Sequence, residues 1–156
     1  MKLLSWKCRG LGNQVAIQEL VDIVRAQDPM FVFLYETWSD KEQMVRIKEK
    51  LEFDDLFIVL NDGRGGGLAL LWKGSIKVWV DSFSKYHIDS IVDGDSESAW
   101  QLTRFYGEPN TNHRIDGWNM LRMLNSKPKL PWCCFANFNE LLEVKDKKGG
   151  APRAHN

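Results

Sequence analysis

The sequence predicts an α/β (α+β) fold in which two packed β-sheets, mixed or antiparallel, are flanked by helices within a single domain spanning 1–156. Three observations predict it. Up to residue 60, continuous apolar runs alternate with helical patterns in the order βαβαβ. From 68 to 106, short apolar runs separated by turn residues read as a meander, which implies antiparallel pairing. A last helical pattern then leads into an apolar strand at Trp132.

Each element has a local reason. Leu3 to Trp6 reads as a short buried strand, and Arg9-Gly10-Leu11-Gly12-Asn13 as a turn with Asn13 as helix N-cap. Ile17, Leu20, Val21 and Val24 then fall on one helical face. Asp28-Pro29 ends that helix, because the residue before proline is pushed out of helical geometry. Met30 to Tyr35 is a near-continuous apolar run, as expected of a strand covered on both faces. Ser39-Asp40-Lys41-Glu42 is a capping box for a second helix, whose buried side is Met44, Ile47 and Leu51. Leu56 to Leu60 is the next strand.

Asn61 to Gly67 is a turn rich in glycine. It lacks the Lys-Ser/Thr ending of a P-loop and the spacing of a dinucleotide site, and a strand follows where those motifs need a helix. It therefore reads as a hairpin connection. Leu68 to Trp72, Ile76 to Asp81, Tyr86 to Val92 and Trp100 to Tyr106 are the meander strands, and a third helix covers Ile115 to Asn125.

Composition bounds the function. The chain is 44% hydrophobic and 27% charged, which is globular and not disordered. Seven Trp and eight Phe suggest a large aromatic core. Lys+Arg and Asp+Glu are 21 each, so the basic excess usual for phosphate-backbone binding is absent, although a local basic patch is compatible with this balance. Lys145, Lys147, Lys148 and Arg153 form such a run, which reads as a solvated tail. Cys8, Cys133 and Cys134 make neither a disulfide framework nor a zinc spacing, and the adjacent pair reads as buried thiols. With no apolar leader or membrane-length run, the expected setting is cytoplasmic or nuclear.

The most informative stretch is Trp132-Cys133-Cys134-Phe135-Ala136-Asn137-Phe138-Asn139. It reads as a buried strand delivering Asn137 and Asn139, two apart, to one spot at its end. The competing reading is a strand followed by an Asn-rich turn. Glu36 directly follows an apolar strand, an odd place for a carboxylate without a role; a solvated Glu at a strand end is the alternative.

Leu3-Leu4-Ser5-Trp6-Lys7-Cys8-Arg9-Gly10-Leu11-Gly12-Asn13, Phe31 to Thr37, Phe105-Tyr106-Gly107-Glu108-Pro109-Asn110 and the Asn137-Phe138-Asn139 segment, in this order and spacing, resemble the endonuclease/exonuclease/phosphatase superfamily. The resemblance is nearest to the endonuclease domain of plant non-LTR (LINE-type) retrotransposons, whose motifs read S-W-N-C-R-G-L-G-N, E-T, F-Y-G-E-P-N and G-D-F-N. It runs from Met1 to the last residues, including Gly65 to Trp72 and Lys147-Lys148-Gly149-Gly150.

This resemblance implies an α/β sandwich, Mg²⁺ as cofactor, DNA as partner, and hydrolysis of a phosphodiester. Magnesium takes hard oxygen ligands and offsets charge on the reacting phosphate. Glu36 matches the family's metal ligand and Tyr106 its phosphate-contacting Tyr. Asn139 matches the family's own Asn. Lys7 stands where the family has Asn, and Ala136-Asn137 where it has Gly-Asp. Asn137 thus replaces the carboxylate that handles the attacking water, and an amide cannot act as a base near neutral pH. Arg104 stands where relatives have a small residue. The family's last strands, with their Asp-His pair, find no match here, so the domain is expected to be C-terminally incomplete; His113 and His155 do not sit in that motif. The expected function is a degenerate, inactive endonuclease-like domain. A non-catalytic nucleic-acid or phosphate-binding module is the alternative. An active phosphatase acting on a small molecule would need a working base that the sequence does not supply.

Overall fold

The computed structural model describes residues 1–60, 66–106, 119–120, 122–124 and 130–137. Strand β1 (Leu3–Lys7) leads through helix α1 (Gln14–Gln27) to a parallel neighbour, β2 (Phe31–Tyr35), in the register Leu3↔Phe31 to Lys7↔Tyr35. A parallel pair needs a crossover, and α1 supplies it. Helix α2 (Lys41–Lys50) then leads to β3 (Asp55–Val59), which pairs antiparallel with β4 (Leu68–Trp72); β4 also pairs antiparallel with β2. The first sheet therefore runs β1-β2-β4-β3. The second contains β5 (Val78–Ser84), β6 (His87–Val92), β7 (Trp100–Tyr106) and β8 (Trp132–Asn137) in that order, antiparallel except for the parallel pair β7–β8.

Alternation on the first sheet builds two cores. Val32, Leu34, Ala69 and Leu71 face the helices and meet Ile17, Leu20, Val21 and Val24 of α1 with Met44 and Ile47 of α2. Phe31, Phe33, Leu68, Leu70 and Trp72 face the second sheet and meet Ile88, Val92 and Leu102. Each such side chain contributes roughly 1.5–3 kcal/mol on burial.

The helix ends show which cues the chain uses. Asn13 accepts from the Ala16 amide at 2.8 Å and caps α1, as its position predicts. Asp28 leaves the helix in the left-handed region before Pro29. The capping box over Ser39 is displaced by one residue. Asp40 is the N-cap and accepts from the Gln43 amide, while the Ser39 hydroxyl bonds back to the Thr37 carbonyl. The carboxylate is the better acceptor for an exposed amide at a positive helix end.

Other expectations shift as well. β1 is half-exposed and stands last on its side of the sheet among the described residues. β8 stands last in its sheet among the described residues, so Cys134 is exposed and Cys133 half-buried. Trp38, Trp79 and Phe83 are largely exposed, so the aromatic residues are not all core. β5 begins two residues later than its pattern suggests, and the register slips between Val80 and Ser82. Phe83 stays largely exposed beyond this β-bulge, with its ring edge on Phe57 of the first sheet, ring centroids 5.2 Å apart. The bulge also aligns Ser82 and Ser84 with the two ring nitrogens of buried His87, at 3.1 and 2.6 Å.

A buried polar chain ties the second sheet together. Gln101 and Thr103 of β7 donate to Asp89 of β6 at 2.8 and 2.6 Å, and the Trp132 indole of β8 donates to Thr103 at 2.8 Å. Asp89 is fully buried and satisfied by these donors, as a buried carboxylate requires. The third helix is described only at 119–120 and 122–124, where Met120 meets Ser84. No helix among the described residues is long and apolar enough to cross a membrane.

Candidate functional site

Parallel pairing brings the C-terminal ends of β1 and β2 together in one sheet, and those of β7 and β8 in the other. The two pairs of ends meet. Tyr106, last in β7, donates its hydroxyl to Glu36 Oε1 at 3.0 Å across the gap between sheets. Its ring lies 5.3 Å from that of Tyr35, the last residue of β2. Strand ends of this kind are where open α/β sheets usually hold ligands.

Lys7, last in β1, completes the group. Its ammonium lies 3.5 Å from the same Glu36 Oε1, with side-chain exposures of 39% for Lys7 and 16% for Glu36. Lys7, Glu36 and Tyr106, named from the sequence, thus converge on one carboxylate oxygen. Asn137 closes β8 in register with Tyr106. Its side chain, like the whole of Asn139, lies outside what the structure describes.

The loops behind this trio interlock. Beyond β1 and β2 the backbone continues to pair: the Cys8, Gly10 and Leu11 amides donate to the carbonyls of Tyr35, Glu36 and Thr37 at 2.9, 2.8 and 3.0 Å. The Thr37 and Trp38 amides donate in turn to Gly67 and Gly66. Arg9, Gly10, Glu36, Trp38 and Gly67 all take positive φ. Such geometry costs a non-glycine residue on the order of 1–3 kcal/mol and gathers where the surroundings over-determine it. At Gly10 a Cβ would lie 2.5 Å from Trp38 Cε3, so the indole rests directly on the glycine backbone. The sequence does not single out Arg9, Thr37 or Trp38; the available signal was the pair of glycines facing them.

Two neighbours set the electrostatics. Arg104 is buried between the sheets, its guanidinium 4.9 Å from the Phe33 ring centroid and 5.1 Å from that of Tyr35. Its Nη1 donates to the Phe105 carbonyl at 3.4 Å, while Nε has no hydrogen-bond partner among the described residues. Burial lowers its pKa, with Tyr35 and Cys134 pulling the other way. Among the described residues the cation is thus held by aromatic faces and not by a carboxylate. Cys8 is also buried, and its thiol is pushed up to about 12, first by burial; a backbone hydrogen bond at Tyr35 opposes this and Glu36 adds to it. It stays protonated at neutral pH and cannot serve as a nucleophile there.

At this site the described residues offer magnesium the Glu36 carboxylate, with the Lys7 ammonium against it. Among them no group of three or more His, Cys, Asp or Glu could hold a metal ion. Glu36 supplies a carboxylate, but Lys7 already stands at its Oε1. A dication on that oxygen would face the ammonium a few ångströms away, a repulsion of roughly several kcal/mol near a protein surface.

No protein-family model and no curated protein matches the chain. Solved structures do. D. rerio TDP2 complexed with a single-strand DNA product aligns at 15% identity and a TM-score of 0.66, over 89% of this chain and 60% of that one. A mannosyl-6-phosphatase from Bacteroides thetaiotaomicron aligns at 14% and 0.64, over 88% and 64%. An endonuclease/exonuclease/phosphatase family protein from Bacteroides thetaiotaomicron aligns at 13% and 0.63, over 88% and 62%. The chain spans less than two thirds of the length of each of these three. Two four-stranded sheets with flanking helices, in this order, are the fold that the chain shares with endonuclease/exonuclease/phosphatase proteins.

Proposed function

We propose that this chain is a degenerate endonuclease-type phosphodiesterase domain, derived from a plant LINE-type retrotransposon, that no longer performs Mg²⁺-dependent cleavage of DNA. The observation that carries the reading is the ammonium of Lys7 at Glu36 Oε1, an oxygen that also accepts from the Tyr106 hydroxyl. Asn137 adds a second defect: an amide cannot take the proton of an attacking water, and general-base catalysis is worth roughly 10²–10⁴-fold. The retrotransposon origin rests on the four ordered sequence motifs.

The test is nicking of supercoiled plasmid by the purified chain in Mg²⁺. No nicking is expected. Nicking that disappears with EDTA and with Glu36→Ala would overturn the proposal.

A second reading is favoured by the same trio. With Lys7 supplying a fixed positive charge and Tyr106 a hydroxyl, the site suits a phosphate group without a metal. An ammonium has three donors, and the contact with Glu36 engages only part of that capacity. In this reading the domain is a non-catalytic module for nucleic acid or phosphate. The similar fold of a protein solved with a single-strand DNA product supports it. Salt-dependent binding of an oligonucleotide, weakened by Lys7→Ala, is the expected result.

A further inference from the structure

We propose that Trp38 is a stacking platform for an unpaired nucleobase, so that the site takes single-stranded nucleic acid in preference to duplex. The proposal rests on the phosphate-holding reading above and names its ligand class.

Trp38 is 54% exposed, whereas core Trp72 is 9% exposed. A core role would bury the ring; here the ring lies on Gly10, with more than half of the residue in solvent. Its backbone adopts φ +47°, an outlier for a bulky residue. That conformation is held by its own amide on the Gly66 carbonyl at 3.0 Å and by Thr37 wedged against Gly67. The chain therefore maintains a strained loop that keeps an indole in water. The same loop holds the site, because the Gly10 beneath the indole donates its amide to the Glu36 carbonyl at 2.8 Å. Exposed Arg9 lies between Lys7 and Gly10 in the chain and gives this loop a second cation.

An exposed indole resting on Gly10, in the loop that follows exposed Lys7 and Arg9, brings the two needs of single-strand recognition into one loop: a π face for a base and positive charge for the backbone. A duplex offers no free base face without unpairing. Inorganic phosphate would make no use of the indole.

The test compares fluorescence-anisotropy titrations of the full chain, at low salt, with a labelled thymidine decamer, an abasic strand of the same length, and a duplex. The decamer should bind tighter than the abasic strand by about tenfold, within the range of base–aromatic stacking, and the duplex no tighter than the abasic strand. Trp38→Ala should bring the decamer to the abasic value and leave abasic binding unchanged. Trp38→Phe, which keeps an aromatic face on Gly10, should retain most of the preference and serves as the readout if the alanine variant fails to fold. Equal binding of decamer and abasic strand by the wild type, or equal weakening of both by Trp38→Ala, would overturn the inference while the phosphate reading stands, provided Lys7→Ala weakens both. Failure of the wild type to bind either strand would overturn both.

Discussion

Lys7 Nζ lies 3.5 Å from Glu36 Oε1, so an ammonium stands against the carboxylate whose motif resembles a metal-binding one. Replacing Lys7 by the uncharged Asn of the resembling family removes this competition. Calorimetric titration should show Mg²⁺ binding at least about tenfold tighter in Lys7→Asn than in the wild type, a change of roughly 1.4 kcal/mol. Equal Mg²⁺ affinity in both proteins would show that the ion pair does not block the metal. Asn137→Asp alone should leave plasmid nicking undetectable, since groups that act as a unit are strongly non-additive.

Tyr106 bridges the sheets through its hydroxyl on Glu36. Tyr106→Phe keeps the ring against Tyr35 and loses the hydrogen bond. A bond to a charged acceptor contributes roughly 1.5–3 kcal/mol, and partial exposure of the pair places this one at the lower end. Urea denaturation should show that loss with an unchanged m-value; no loss would mean that the two sheets meet here through ring packing alone.

Gly67 sits at φ +103°, where a Cβ would overlap the Thr37 hydroxyl, whereas a Cβ on Gly12 would meet nothing within 4 Å. Gly67→Ala should cost roughly 1–3 kcal/mol and Gly12→Ala no more than about 0.5. Thermal melts of the two variants check this, and equal melting temperatures would contradict the close approach.

Arg104 buries a guanidinium between Phe33 and Tyr35 with Nε unpartnered among the described residues. Arg104→Met keeps much of the volume and removes a desolvated charge. Loss of the two cation–π contacts works against this by about 0.5–2 kcal/mol, less than the several kcal/mol that desolvating an ion costs. The variant should be more stable, by about 1 kcal/mol or more in denaturant titration. Destabilisation would mean that the aromatic faces hold the cation better than these magnitudes allow.

Burial raises the pKa of Cys8 to about 12, above the usual thiol range. The folded protein therefore holds this proton in a range where the unfolded chain releases it. Its contribution to stability is fully present below about pH 8.5–9 and declines as pH rises toward 12. Chemical denaturation at pH 8 and pH 10.5 should show a fall that is smaller in Cys8→Ala. An identical fall in both proteins would remove Cys8 as its cause.

How much could be read in the chain differs from element to element. The α1 face, the Asn13 cap and the limits of Trp100–Tyr106 follow from period and capping chemistry, which act over a few residues. The bulge near Asp81 was not legible, since Ile76, Val78 and Val80 alternate without a break in sequence. The slip is decided by the fit of Phe83 onto Phe57 of the other sheet and of His87 between Ser82 and Ser84. Apolar content alone cannot tell a central strand from one that stands last in its sheet, as β1 and β8 do among the described residues; only pairing order does.

Of the candidate site, the sequence by itself determined the cast: Lys7, Glu36 and Tyr106 at the ends of strands, with Asn137 at the close of another. The cast comes from the ordered motifs that resemble the endonuclease/exonuclease/phosphatase superfamily; the apolar runs place those motifs where strands stop. Only the tertiary structure decided that Lys7 turns toward Glu36, that Tyr106 reaches the same oxygen from the opposite sheet, and that Trp38 lies on Gly10 in solvent. These contacts join residues up to 70 positions apart (Tyr106 and Glu36), and their geometry depends on sheet register and left-handed loop residues. Neither quantity is encoded by a side chain's identity or its spacing; both arise when the two sheets close on a common core.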